Sequence, residues 1–108
     1  MNAAWGWVVV GGLFEAAWAS FMKLSDGFTD LFYDVLFLAF MALSMLFLNK
    51  GFRAGLPTGP CYAVWVGMGA VISVLIGALV FGDAIAVGGW ICVAMIVAGV
   101  VGLNLSEE

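Results

Sequence analysis

Charged side chains divide this chain into long apolar runs. No Asp, Glu, Lys or Arg falls within 1–14, 35–49, 54–82 or 84–106. A helix rising 1.5 Å per residue needs about 20 apolar residues to cross ~30 Å of hydrocarbon. The last two runs reach that length unaided. The second reaches it when counted from Leu31 to Lys50, with Asp34 near the interface; the first does so only by carrying Glu15 inside it. The pattern predicts four transmembrane helices near 3–22, 32–50, 58–81 and 85–105. The fold class is therefore all-α: an integral membrane four-helix bundle, with 1–108 as one transmembrane domain. The connections are short, which makes sequential helices antiparallel neighbours. The first, Lys23 to Thr29, carries Ser, Asp and Gly; the second is Gly51 to Gly59, with Pro57 and Pro60 setting up the start of the third helix; the third centres on Gly82 and Asp83.

Composition agrees with lipid as the solvent. Apolar residues make up 66% and charged residues 9%, far below the roughly 25% charged of ordinary globular domains. Ala17-Trp18-Ala19 resembles a signal-peptidase site, but 1–14 contains no Lys or Arg and the apolar core would hold a carboxylate, so the segment reads as a retained first helix. There is no histidine, and Cys61 and Cys92 lie in apolar helices without metal-ligand spacing, which reads as packing rather than as a metal site or disulfide. No cofactor is called for. Three basic residues are too few for nucleic acid.

Four spans put both termini on one side together with Lys50 and Arg53 of the second connection, opposite Lys23 of the first. Two basic side chains against one is a slight bias toward cytoplasmic termini. A chain that inserts both ways can pair antiparallel with itself; one that inserts one way needs an oppositely oriented relative. Trp5 and Trp7 at the start of helix one and Trp90 early in helix four suit headgroup anchoring, whereas Trp18 and Trp65 lie deeper. Small residues recur at spacing four as Gly69, Ser73 and Gly77 on helix three and as Ala94, Ala98 and Gly102 on helix four. Such stripes let helices approach closely in lipid. The first suits packing within one chain as well as between chains; the second is assigned to a dimer contact, because four short helices alone hardly enclose a pathway.

Glu15 is the residue that carries chemistry. An acidic side chain at the bilayer centre costs on the order of 3 kcal/mol even on lenient insertion scales. No basic residue inside a span pairs with it, so stability alone favours Leu there. Removal from water disfavours the charged carboxylate, which suits a group that trades a proton for a cation. Trp18, at i+3, offers an indole N–H on the same face. Tyr62 and Trp65, three apart on helix three, offer an O–H, an N–H and two cation-attracting ring faces. Ser44 offers a hydroxyl near the middle of helix two. Each aromatic taken singly also fits a lipid anchor.

At these residues the chain resembles the small multidrug resistance family. The likeness covers the whole length: the lone Glu15, Met22-Lys23 followed by Gly27-Phe28-Thr29, and Leu56-Pro57-x-Gly59-x-x-Tyr62-Ala63-x-Trp65-x-Gly67-x-Gly69. Glu15-x-x-Trp18 with Gly69-Ala70-Val71 is similar to the guanidinium-exporter subtype. The resemblance implies an antiparallel dimer, homomeric or with a related chain, in the bacterial cytoplasmic (inner) membrane. It implies proton-coupled antiport of guanidinium or small substituted guanidinium cations. Glu15 would bind protons and substrate; Trp18, Ser44, Tyr62 and Trp65 would form the hydrogen-bond network and cavity wall; helix three would bend at Gly67 and Gly69; Ala94, Ala98 and Gly102 would meet the second subunit. The alternative within the fold is export of quaternary ammonium or aromatic cations, against which Trp18 argues. The chain departs from the family pattern at Val66 and Pro60-Cys61, which bear on the exact substrate, and at Asp30 and Asp34, which keep both the homomeric and heteromeric pairings open.

Overall fold

The computed structural model describes residues 3–106; the terminal carboxylates Glu107 and Glu108 lie outside the described residues. Four helices follow in order: α1 (Ala3–Leu24), α2 (Leu31–Arg53), α3 (Thr58–Leu79) and α4 (Val87–Ser106). All four are long and apolar enough to cross a membrane. At 20 to 23 residues each, they measure about 30–35 Å.

Charges mark the ends. Lys23 lies in the last turn of α1, and Lys50 and Arg53 in the last turn of α2, where cations meet the negative end of the helix dipole. The two carboxylates at the exit of the first connection have local work. Asp30 caps α2, its Oδ1 accepting from the backbone N–H of Phe32 at 3.0 Å and of Tyr33 at 3.4 Å. Asp34 accepts a hydrogen bond from the buried Ser25 hydroxyl. Asp26, Gly27 and Phe28 turn the chain through three successive left-handed conformations (φ 50°, 75° and 65°). Pro60 occupies the first turn of α3, where its missing N–H has no intrahelical partner to lose.

α3 stops two residues earlier than the sequence suggests, and α4 begins two later. Gly82 (φ +71°) turns the chain, and Asp83 N–H returns to Gly77 O at 2.9 Å, so residues 80–86 form a true connection.

The helices make an open slab of 42 × 34 × 17 Å. α1 lies between α2 and α3 and packs on both; α2 and α3 touch only slightly; α4 packs on α3. The expectation that each helix packs chiefly on its sequence neighbour therefore fails at α2 and α3, because α1 stands between them. Aromatic rings join α1 to α2 along their length: Trp7 and Phe14 on Phe47, Phe14 and Phe21 on Phe40, and Trp18 on Phe37. A buried cluster of Trp5, Val8, Leu48, Cys61, Val64 and Trp65 closes the loop-two end. Trp5 corrects the sequence reading. It is fully buried in this core rather than anchored among headgroups, whereas Trp7 is partly exposed with Lys50 Nζ 4.3 Å over its ring. None of the described residues of α4 is buried.

Candidate functional site

Two adjacent glycines on α1 let three helices converge below Glu15. A Cβ at Gly11 would lie 3.1 Å from Ser44 O of α2 and from Trp65 Cδ1 of α3. A Cβ at Gly12 would fall 2.6 Å from Met68 Cβ and 3.1 Å from Trp65 O. Gly11 thus opens α1 toward α2 and Gly12 toward α3. One turn further along, Glu15 projects at the same crossing, and its seat is Gly69: a Cβ there would fall 2.6 Å from the carboxyl carbon and from Oε2. Oε2 is buried and accepts no hydrogen bond among the described residues.

A hydrogen-bond relay ties the three helices together one turn from the carboxylate. The buried Ser44 hydroxyl donates to Gly11 O at 2.6 Å and accepts from the Trp65 indole N–H at 3.0 Å. Tyr62 lies beside Trp65, ring centroids 5.4 Å apart, and is half exposed on the open face of the slab. Five of the residues singled out from sequence therefore meet at the α1–α3 crossing: Glu15 against Gly69, and Ser44 bonded to Trp65, with Tyr62 on its flank.

Trp18 is placed differently. Its ring tilts against Phe37 of α2 at 5.8 Å, and its buried N–H donates no hydrogen bond among the described residues, to Glu15 or to any other group. Gly67 and Gly69 face opposite helices. A Cβ at Gly67 would fall 2.5 Å from Val100 Cγ2 of α4, and α3 runs unbroken through both glycines. Ala94, Ala98 and Gly102 are exposed on the far side of α4, with nothing within 4 Å of a Cβ at Gly102.

Sequence reasoning did not foresee that Gly69 seats the carboxylate. The signal was present in the spacing-four stripe Gly69, Ser73 and Gly77, which marks a face of close approach without naming what approaches. Nor did it foresee that Asp83 of the third connection pairs with Lys23 at the end of α1, at 3.5 Å.

Comparison with known proteins places the chain beside a family of small transporters. A family model described as Small Multidrug Resistance protein matches residues 3–96. A guanidinium exporter of Proteus vulgaris is 38% identical over 103 residues, 94% of this chain and 98% of its own length. A guanidinium exporter of Citrobacter freundii is 37% identical over 97% of this chain and 99% of its own. One of Yersinia pseudotuberculosis is 36% identical over 96% and 99%.

Proposed function

The chain belongs to the Small Multidrug Resistance protein family, and from that premise we propose that it exports guanidinium or small substituted guanidinium cations in exchange for protons. It is a multi-pass membrane transporter rather than an enzyme. The observation that carries the reading is the seating of the Glu15 carboxylate on the Gly69 backbone, deep in a span and, among the described residues, with no basic side chain to neutralise it. A carboxylate so placed binds one positive species at a time, a proton or a cation. Guanidinium is planar and offers N–H groups on every edge, so it can take both carboxylate oxygens.

In this reading, protonation of Glu15 from the outside expels the cation, and loss of that proton to the cytoplasm recruits the next. Ser44 holds Trp65 so that its ring and that of Tyr62 wall the cation. Trp18 closes the site toward α2 and keeps it small. The slab is open on the side where Tyr62 is exposed, so a second subunit completes the pathway and brings a second carboxylate. That subunit is a copy of this chain in the opposite orientation, or a related chain, meeting α4 at Ala94, Ala98 and Gly102. Gly67 and Gly69 are where α3 bends as access alternates. The protein works in the bacterial cytoplasmic membrane.

The test is uptake into proteoliposomes driven by a pH gradient, with guanidinium compared with a quaternary ammonium ion, in the wild type and in Glu15→Gln. Guanidinium transport abolished by the substitution supports the mechanism; transport that survives it sinks the shared-site reading. Equal preference for the quaternary ion sinks the substrate class alone.

A further inference from the structure

A cavity of about 150 Å³ lies between the C-terminal turns of α1 and α3. Ala19, Ser20 and Lys23 line it on one side and Ser73 and Gly77 on the other, with Phe81 and Asp83 of the last connection at its mouth. Ala19 is four residues beyond Glu15 and Ser73 four beyond Gly69, so the cavity begins roughly 6 Å along the helix axes from the central carboxylate.

The Lys23 ammonium occupies a setting that recognises cations. Its Nζ lies 3.5 Å from Asp83 Oδ1 and 4.6 Å from the centroid of the Phe81 ring. The carboxylate is held by more than this pairing. The Asp83 N–H donates to Gly77 O at 2.9 Å, and a Cβ at Gly77 would fall 2.5 Å from Asp83 Oδ2. The backbone thus presents a carboxylate and an aromatic face to the same point. Lys23 and Asp83 are each about half exposed, and such pairs contribute little to stability and open readily. A guanidinium suits the setting better than the ammonium does, because it can bond both carboxylate oxygens in its plane and lay its face on the ring. At the loop-two end Lys50 lies over Trp7 with no carboxylate bridging it, so among the described residues the loop-one end alone has this arrangement.

We propose that Asp83 and Phe81 form a second, peripheral station for guanidinium-type cations, between the loop-one surface and Glu15, and that Lys23 occupies it as a tethered competitor. The station rests on the reading that this chain carries such cations. A passing cation displaces Lys23, and the returning ammonium pushes it onward, so the station concentrates substrate without retaining it.

Guanidinium binding to purified full-length protein is followed by NMR chemical-shift titration in the Glu15→Gln background, which silences the central site. The expected result is weak saturable binding with shifts at Phe81 and Gly77. It tightens roughly threefold or more in Glu15→Gln/Lys23→Met, survives in Glu15→Gln/Asp83→Glu and is lost in Glu15→Gln/Asp83→Asn. No saturable binding to Glu15→Gln/Lys23→Met overturns the station. In transport with Glu15 intact, Lys23→Met lowers the KM for guanidinium and Asp83→Asn raises it. Shifts in the same direction overturn the proposal, because a merely structural bridge is broken equally by either change. Transport that survives Glu15→Gln strikes the central mechanism; absent binding at Asp83 beside Glu15-dependent transport strikes the station alone.

Discussion

The Glu15 carboxylate and the Gly69 backbone are in direct apposition: a Cβ on Gly69 would fall 2.6 Å from both the carboxyl carbon and Oε2. Real Cβ contacts do not come so close, so either the carboxylate or α3 must move if Gly69 acquires a side chain. Close approach at a small residue is what drives helix pairing in lipid, where no hydrophobic force acts between helices. The contact therefore couples packing to the proposed chemistry: the glycine that brings α1 and α3 together also bears the carboxylate.

Gly69→Ala is expected to cripple transport while leaving the helices formed. A displacement of about 1 Å at a reacting group costs on the order of 100-fold in well-positioned sites. Guanidinium uptake should fall at least roughly tenfold, with circular dichroism unchanged. Near-normal uptake would show that the carboxylate has no need of this seat.

Ser44→Ala removes one hydroxyl and breaks two bonds, to Gly11 O and from the Trp65 N–H. Gly11 O, within α1, also faces the N–H four residues on, so the lasting loss is the orphaned indole. Interhelical hydrogen bonds in membranes average about 0.6 kcal/mol and an unsatisfied buried group costs about 1–3 kcal/mol, so a loss near 1 kcal/mol is expected in reversible unfolding from detergent. Trp65, freed to rotate, should raise the KM for guanidinium more than it lowers kcat. Ser44→Thr, which keeps the hydroxyl, should restore part of both.

The spans were legible because lipid punishes charge: Lys23, Lys50 and Arg53 sit in last turns and Asp34 in a first turn, as their position between apolar runs requires. Glu15 was legible for the same reason in reverse. Rotation of one helix against another was not. Ser44 and Trp65 stood out as a hydroxyl and an indole at membrane depth, but their bond depends on Gly11 allowing α1 and α2 to close, which no periodicity encodes. Trp5 was misplaced because a tryptophan near a helix start reads as an interfacial anchor, and whether its ring turns to lipid or to the Cys61–Val64 core depends on the same rotation. The break after α3 was misjudged by two residues because residues 80–86 are almost wholly apolar, and only the left-handed Gly82 and the bond from Asp83 to Gly77 end the helix.

Gly67→Ala tests the other face of α3. A Cβ there would fall 2.5 Å from Val100 Cγ2, and a β-branched valine has little rotamer freedom with which to retreat. α4 should be pushed from α3, with lowered thermal stability. Val100→Ala makes room, so the double variant should be more stable than Gly67→Ala alone. Strict additivity of the two changes would place the clash elsewhere.

Trp18 bears on substrate size. Its ring rests on Phe37, and its buried N–H awaits an acceptor. Trp18→Ala opens the space between α1 and α2 three residues from Glu15 by removing the ring that rests on Phe37. Proton-driven transport should persist, and the ratio of kcat/KM for guanidinium over a bulky quaternary ammonium should fall by roughly tenfold, the scale on which an enlarged apolar pocket loses discrimination by size. An unchanged ratio would mean that Trp18 does not set the width of the site.

The outer face of α4 bears on assembly. Exposed apolar side chains such as Ile91 and Met95 need no partner, because lipid covers them as well as protein does. The small residues are the distinguishing feature: Ala94, Ala98 and Gly102 form a groove on the exposed side of α4, turned away from the Val100 side that meets α3. Lipid gains nothing from a groove, whereas a second helix does. Gly102→Leu and Ala98→Leu fill it without touching the α3 contact, so the fold of one chain should survive while association fails. Crosslinking in liposomes should show loss of dimer, and transport should fall in step, because half a pathway carries nothing. Cys92→Ala, exposed about a third of a turn from the groove, should leave both unchanged. Dimers undiminished by Gly102→Leu would move the subunit contact off this face of α4.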